Sequence, residues 1–306
     1  MIGTIKNNKF AVAAGALLCC ALWGISTPIV KMGYAWVDEG HIPSLLLWVG
    51  LQFLTAGLGT IGFYSLRAKK LLLPRRESTR GIALVALLQT VLQYALLYVG
   101  LSYTTSVKGA ILKSTDVFFV ALIAGLIFRT EKLTSKKLCA CAIGFLGILV
   151  MNLDGLSLQI NPLGDGLVLI AIISYSFSVV VTKLFAQQED PIVLCGYQMG
   201  VGGTVLALLG LAFNGTFDMI GMLPVFLCLS LIYAASYVLW TILLKHNPAS
   251  SVTIYSFTTP VFGVLFSALL LSEDSGTAIG NLLVALALVC LGILLWGYEP
   301  TKKHRH

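Results

Sequence analysis

Charge is what this chain has least of. Asp, Glu, Lys and Arg make up only 11% of its 306 residues, where a soluble domain carries about 25%. With 58% of residues hydrophobic and a mean hydropathy of +0.92, that deficit excludes a soluble globular domain and a disordered chain alike. Histidine is scarce as well: His41, His246, His304 and His306 fall in loops or the tail. No HExxH helix can therefore form, and GxSxG is also missing, so the two motif-borne hydrolase chemistries are excluded. No GxxxxGK[ST] is present either, so this chain does not hydrolyse ATP. The seven cysteines, Cys19, Cys20, Cys139, Cys141, Cys195, Cys228 and Cys290, all lie in apolar stretches, where Cys behaves as a small hydrophobe. The Cys139–Cys141 pair has no further His or Cys beside it. We expect no enzyme activity, no cofactor and no metal. The net charge is +7, but the basic residues sit in short runs between apolar segments. A nucleic-acid partner, which needs a continuous basic face with aromatics, is not expected.

What is present is a succession of long apolar runs. A membrane span needs about 20 mostly apolar residues. On that rule ten spans are predicted, over 9–31, 43–66, 81–102, 107–128, 137–153, 163–185, 191–213, 219–244, 249–271 and 277–297. Thirty glycines in such a chain fit close helix packing in lipid. The first span is too long for a signal-peptide core and reads as retained. Basic residues stay on the cytoplasmic side. With the N-terminus inside, only Lys31 and Lys108 of the 20 Lys and Arg lie outside and Lys113 lies within the membrane, which leaves 17 inside. The basic loop Arg67–Arg80 and both termini are thus expected in the cytoplasm, in the inner (plasma) membrane of the cell.

The chain also repeats itself. Leu22–Lys31 (LWGISTPIVK) aligns with Ser174–Lys183 (SYSFSVVVTK), and Tyr94–Val99 (YALLYV) with Tyr233–Val238 (YAASYV). Phe118–Glu131 (FFVALIAGLIFRTE) aligns with Pro260–Glu273 (PVFGVLFSALLLSE), and Leu146–Val150 with Leu291–Leu295. The four matches keep their order. The predicted fold class is an all-α membrane protein of ten transmembrane helices, arranged as two inverted five-helix repeats. The first repeat covers 1–155, the second 160–300, and 301–306 is a basic tail. An odd number of helices per half reverses the second half in the membrane, an arrangement found mainly in secondary transporters.

These residues carry a resemblance. Trp23-Gly24 with Lys31, the Pro260–Glu273 stretch with its partner Phe118–Glu131, and the Leu-Gly endings of spans five and ten resemble the EamA-type ten-helix members of the drug/metabolite transporter (DMT) superfamily. The resemblance covers nearly the whole chain. It implies a central cavity lined by spans one to four and six to nine, with spans five and ten peripheral. It also implies export or exchange of small metabolites, often amino acids, without ATP. Where span nine has Pro260, span four has Phe118, and two residues earlier stands Asp116. Lys113 and Asp116 are not part of the general family pattern, so no substrate preference carries over to them.

The candidate site is centred on Lys113 and Asp116 in span four. Asp116 is eight residues from Lys108, about 12 Å deep at 1.5 Å per residue. Spacing i, i+3 would place both charges on one helix face. Two roles are open for the pair. It is either a structural ion pair, or it handles substrate or proton, since midplane charges mark pathways. A single aspartate at that depth cannot make an aspartyl dyad. Gln89 and Gln93 share a face of span three at similar depth and serve either a ligand or a neighbouring helix. Tyr233, Tyr237 and Trp240 form a stripe on span eight, repeated by Tyr94 and Tyr98. Trp23, Tyr175 and Tyr255 complete the aromatic set, and Ser174, Ser176, Ser178, Gln52, Thr258 and Thr259 add polar groups. Trp36, Trp48, Trp240 and Trp296 lie near span ends and read as interfacial anchors, and Lys31 and Lys183 as snorkelling cations. Gly196–Gly200 reads as a packing face. The expected function is a secondary transporter for a small amino-acid-like zwitterion, most simply an exporter, coupled to protons or to exchange, as a monomer or homodimer in the lipid bilayer. A multidrug or cationic-compound exporter and a non-transporting scaffold or receptor are the alternatives.

Overall fold

The structure, a computed structural model, describes residues 9–104, 106–153, 161–271 and 279–297. Lys6, Asp154, Glu273, Asp274 and the basic tail 301–306 lie outside the described residues.

All regular structure among the described residues is helical. There are ten helical runs, each on an expected span: α1 (Lys9–Gly33), α2 (Ile42–Ala68), α3 (Arg76–Leu101), α4 (Ser106–Lys113 continued by Asp116–Leu122 and Ile123–Ile127), α5 (Ser135–Met151), α6 (Pro162–Ala186), α7 (Pro191–Ala212), α8 (Met219–His246), α9 (Ala249–Leu271) and α10 (Ile279–Gly297). Eight are long and apolar enough to cross a bilayer by length and composition; α5 and α10 are shorter.

The helix starts follow from local chemistry. Proline opens α2, α6 and α7, where its missing N–H costs nothing. Asn161, Asp190 and Asp218 accept hydrogen bonds from the first-turn N–H groups of α6, α7 and α8, each cap being worth about 1 kcal/mol. α2 ends on Lys69 in the left-handed region, φ 53°.

The packing repeats between the two halves. α2 packs on its counterpart α7, and α5 on its counterpart α10. α1 lies against α8 and α9, as its counterpart α6 lies against α3 and α4. A two-fold exchange of the halves reproduces every one of these pairs. The α2–α7 contact is made backbone to backbone. A Cβ on Gly57 would sit 2.5 Å from Gly196 O and Gly200 N, so Gly196–Gly200 is a packing face, as expected.

Two tryptophans depart from the sequence expectation. Trp48 and Trp240 are 0% and 2% exposed and are core residues, not interfacial anchors. Trp240 meets Trp23 edge-on with ring centroids 4.9 Å apart, and Trp48 meets Tyr34 at 6.1 Å. Large aromatic area is better matched by a neighbouring ring than by lipid. Lys183, in the last turn of α6, donates from Nζ to Asn247 O in the α8–α9 connection, toward the helix end as a snorkelling cation does.

The basic loop is clamped from the second half. Glu189, between α6 and α7, accepts from the backbone N–H of Arg75 and of Asp190, both at 2.9 Å. Lys245 donates to Glu189 O at 3.0 Å. Burial pushes the Glu189 carboxyl up. The Arg75 and Asp190 amides, the Ser78 hydroxyl and the Arg75 charge outweigh that and hold it below the ordinary glutamate value. A carboxyl depressed on folding stabilises the fold above its unfolded value, about 4.3, and loses that stabilisation as pH falls through the lower folded value. Glu189→Gln is therefore expected to cost on the order of 1 kcal/mol at pH 7. The gap to the unsubstituted protein should close below about pH 4, as read by thermal melts across pH. A gap of equal size at pH 3 and pH 7 would contradict it.

Candidate functional site

α4 is not one helix. Ser106–Lys113 ends, Ser114 and Thr115 turn, and Asp116–Leu122 starts anew. Ser114 N–H bonds to Ala110 O and Ile111 O at 3.2 Å, and Thr115 N–H to Leu112 O at 2.9 Å. The side chains reinforce the turn: Ser114 Oγ donates to Ala110 O and Thr115 Oγ1 to Leu112 O. Adjacent Ser and Thr hydroxyls competing for backbone carbonyls are a known cause of such interruptions.

The break puts the two charges in separate helical segments. Lys113 is exposed at the end of one segment, whereas Asp116 is 5% exposed at the start of the next. They are not among the ion pairs of the described residues, which include Lys108–Asp165 at 2.6 Å and Lys137–Glu131 at 3.7 Å. Each charge nonetheless acts on the other across the turn, so the pair remains an electrostatic unit although its members belong to different helical segments. Asp116 Oδ1 is sealed from solvent and has no hydrogen-bond partner, a costly arrangement for a carboxylate. Its backbone oxygen accepts from Ser176 of α6 at 3.4 Å. Its charge is felt at Lys113 across the turn, at Cys20 of α1, Tyr175 of α6 and Cys141 of α5.

The aromatic residues converge. Phe53 of α2 lies 4.9 Å from Tyr94, 5.3 Å from Tyr233 and 5.9 Å from Tyr237. Trp23 of α1 lies 5.6 Å from Tyr237, and Tyr98 lies 6.3 Å from Tyr94. The hydroxyls of Tyr94 and Tyr237 are 3.3 Å apart, which joins α3 to α8, the repeat counterparts. Tyr175 packs against the same core as Trp23 and Trp240 and links this cluster to Asp116. Tyr255 of α9 packs against that same core, its backbone oxygen accepting from the Cys20 thiol at 3.2 Å.

Gln89 and Gln93 are 6% and 8% exposed. Gln89 faces Tyr237, and Gln93 Oε1 has no partner. Gln89 lies within a π-helical stretch, Ala86–Leu92, a widened turn that recurs at functional positions. The α6 serines are occupied structurally: Ser174 donates to Leu88 O at 2.8 Å, Ser176 to Ile172 O at 2.8 Å and Ser178 to Tyr175 O at 2.6 Å. Phe53, the hub of the cluster, is not foreseen from the sequence. A phenylalanine inside an apolar span carries no local signal of its role.

Comparison with known proteins places this architecture. The sequence pattern described as the EamA-like transporter family matches twice, at residues 11–153 and 162–298. The chain belongs to the EamA-like transporter family. It is 27% identical over 281 residues to a protein named uncharacterized transporter YvbV of Bacillus subtilis, covering 88% of this chain and 87% of that one. It is 26% identical to the uncharacterized inner membrane transporter YedA of Escherichia coli, over 91% and 90% of the two chains. A crystal structure shares the fold with a TM-score of 0.77, at 15% identity over 95% of this chain and 97% of its own. Together with the long apolar helices, these matches make the protein a multi-pass membrane transporter. In this EamA-type chain the aromatic cluster draws on α1, α2, α3 and α8, and the carboxylate on α4, so both halves contribute to one central region.

Proposed function

We propose that this protein is a secondary transporter that exports a small zwitterionic metabolite, of amino-acid type, by alternating access of its two halves. The observation that carries the reading is the unpartnered Asp116 Oδ1, set at a break in α4 beside the aromatic cluster. Discontinuous helices at a repeat interface are where transporters of this general design hold substrate and ions. The aromatic rings of Phe53, Tyr94, Tyr98, Tyr233, Tyr237 and Trp23 would take the apolar body of the substrate, with Gln89 and Gln93 as hydrogen-bond partners. Lys113 would meet a carboxylate. Asp116 would answer the positive charge that each cycle brings in. Two opposite charges on successive segments of α4 suit a zwitterion better than a purely cationic drug, which has no use for Lys113. Proteoliposomes loaded with single amino acids test this directly. Efflux that depends on Asp116 and Lys113 supports it; no flux of any zwitterion, with efflux of hydrophobic cations instead, would replace it with the multidrug reading.

Orientation is part of the same proposal. Single cysteines placed at either terminus or in Arg67–Arg80 of a cysteine-free protein should label with membrane-impermeant maleimide only after permeabilisation, because cytoplasmic loops collect Lys and Arg. Labelling of the intact cell at any of the three positions would reverse the assigned topology.

A further inference from the structure

The connection between α2 and α3 holds two leucines out among its cations. Residues 69–75 join Ala68 to Arg76 outside any helix. α2 has 27 residues, about 40 Å at 1.5 Å per residue, which matches a bilayer with its headgroup layers. A short connector between two such spans therefore lies at headgroup level.

Exposure alternates along this connector. Leu71 and Leu73 are 68% and 64% exposed, whereas Leu72 and Pro74 are half-buried. A period of two marks an extended chain with one side turned out. The backbone is pinned in that position. Leu72 N–H donates to Ser65 Oγ at 3.0 Å, and Leu72 O accepts from the Tyr197 hydroxyl of α7 at 3.0 Å. The Arg75 N–H is held by Glu189. The leucines are thus presented outward by a fixed chain, where water gives them no return for their apolar area.

Cations surround them. Arg67, Lys69, Lys70, Arg75, Arg76 and Arg80 are all exposed, against one acid, Glu77. The Arg75 guanidinium donates to Gln188 O. The other five form no ion pair among the described residues. Water suits the cations and not the leucines; hydrocarbon suits the leucines and not the cations. The headgroup layer of an anionic leaflet suits both, because phosphates meet Lys and Arg while short apolar side chains reach the acyl boundary.

We propose that residues 67–80 form a binding surface for anionic phospholipid. Lys69 and Lys70 meet the lipid phosphate, and Leu71 and Leu73 enter the acyl boundary beside it. The surface is independent of which substrate is transported and requires only that α2 and α3 cross the membrane. Its backbone is tied through Tyr197 and Glu189 to the second half, so bound lipid stabilises the contact between the halves.

The test uses the full chain, purified in a neutral detergent. Thermal melts are titrated with phosphatidylglycerol, with phosphatidylcholine of the same acyl chains, and with glycerol phosphate as a headgroup lacking chains. Light scattering follows the oligomeric state. The expected result is a saturable rise in melting temperature with phosphatidylglycerol, little with phosphatidylcholine and none with glycerol phosphate. The apparent phosphatidylglycerol affinity should fall about tenfold in Lys69→Gln/Lys70→Gln, and it should also fall in Leu71→Ser/Leu73→Ser. Equal responses to the two lipids overturn the proposal, as does a phosphatidylglycerol response that both double variants retain. A response to glycerol phosphate equal to that of the lipid overturns it in favour of a free-phosphate site. A dimer that Leu71→Ser/Leu73→Ser dissociates, with the lipid response unchanged, overturns it by giving the leucines to a second copy of the chain. The comparison of lipids is made on the unsubstituted protein and stays decisive if a variant does not fold.

Discussion

Asp116→Asn should insert and fold like the unsubstituted protein and lose about 30-fold or more of its transport rate. Removing one charge from a buried charged interaction costs about 2–5 kcal/mol, and each 1.4 kcal/mol is tenfold. Folding is spared for a specific reason. Oδ1 makes no hydrogen bond in this conformation, and the contact from Ser176 goes to the Asp116 backbone oxygen, which asparagine retains. An amide of nearly the same shape also removes a charge that is expensive to keep in the membrane interior. The melting temperature of the variant should therefore stay level or rise while flux collapses. Flux in proteoliposomes and a melt on the same preparation check both halves of the expectation. Full flux would remove Asp116 from the mechanism, and loss of folding would return it to a structural role.

The second large effect concerns stability. Gly203→Ala should lower the melting temperature, whereas Gly59→Ala should leave it unchanged or raise it. Alanine is better than glycine in a helix by about 1 kcal/mol, so an increase is the default at either position. At Gly203 that default is overruled. Its added Cβ would lie 2.4 Å from Leu54 N and 2.6 Å from Gly50 O, backbone atoms that have no rotamer with which to move away. α7 must then retreat from α2, and overpacking of this kind costs about 1–3 kcal/mol. At Gly59 nothing lies within 4 Å of the new atom. Opposite signs from the same chemical change would locate the α2–α7 seam; equal signs would contradict it.

Much of this protein is legible in one dimension. The ten spans, their order and the repeat are local properties. Lipid offers the backbone no hydrogen-bond partner, so each crossing must be a self-contained helix of sufficient apolar length. Helix starts are equally local, since Asn161, Asp190 and Asp218 cap the N–H groups two or three residues ahead of them. The Leu22–Lys31, Tyr94–Val99 and Phe118–Glu131 matches pair the two halves span by span. The aromatic stripe Tyr233–Tyr237–Trp240 is likewise visible, because residues four and seven apart share a side of any unbroken helix.

The tertiary structure decides what those local patterns leave open. Lys113 and Asp116 fall in separate helical segments because two hydroxyl residues, Ser114 and Thr115, turn the chain between them. Trp48 and Trp240 go inside, and Phe53 becomes a hub, for a different reason. A membrane helix is apolar on the side facing lipid and on the side facing its neighbours, so hydropathy carries no record of which side is which. In a soluble protein the polar face would point the way. Here the length, number and repeat of the helices were determined by the sequence alone. Which residues meet at the centre was decided by close backbone contacts such as Gly57 against Gly196 and Gly200, and by the break in α4.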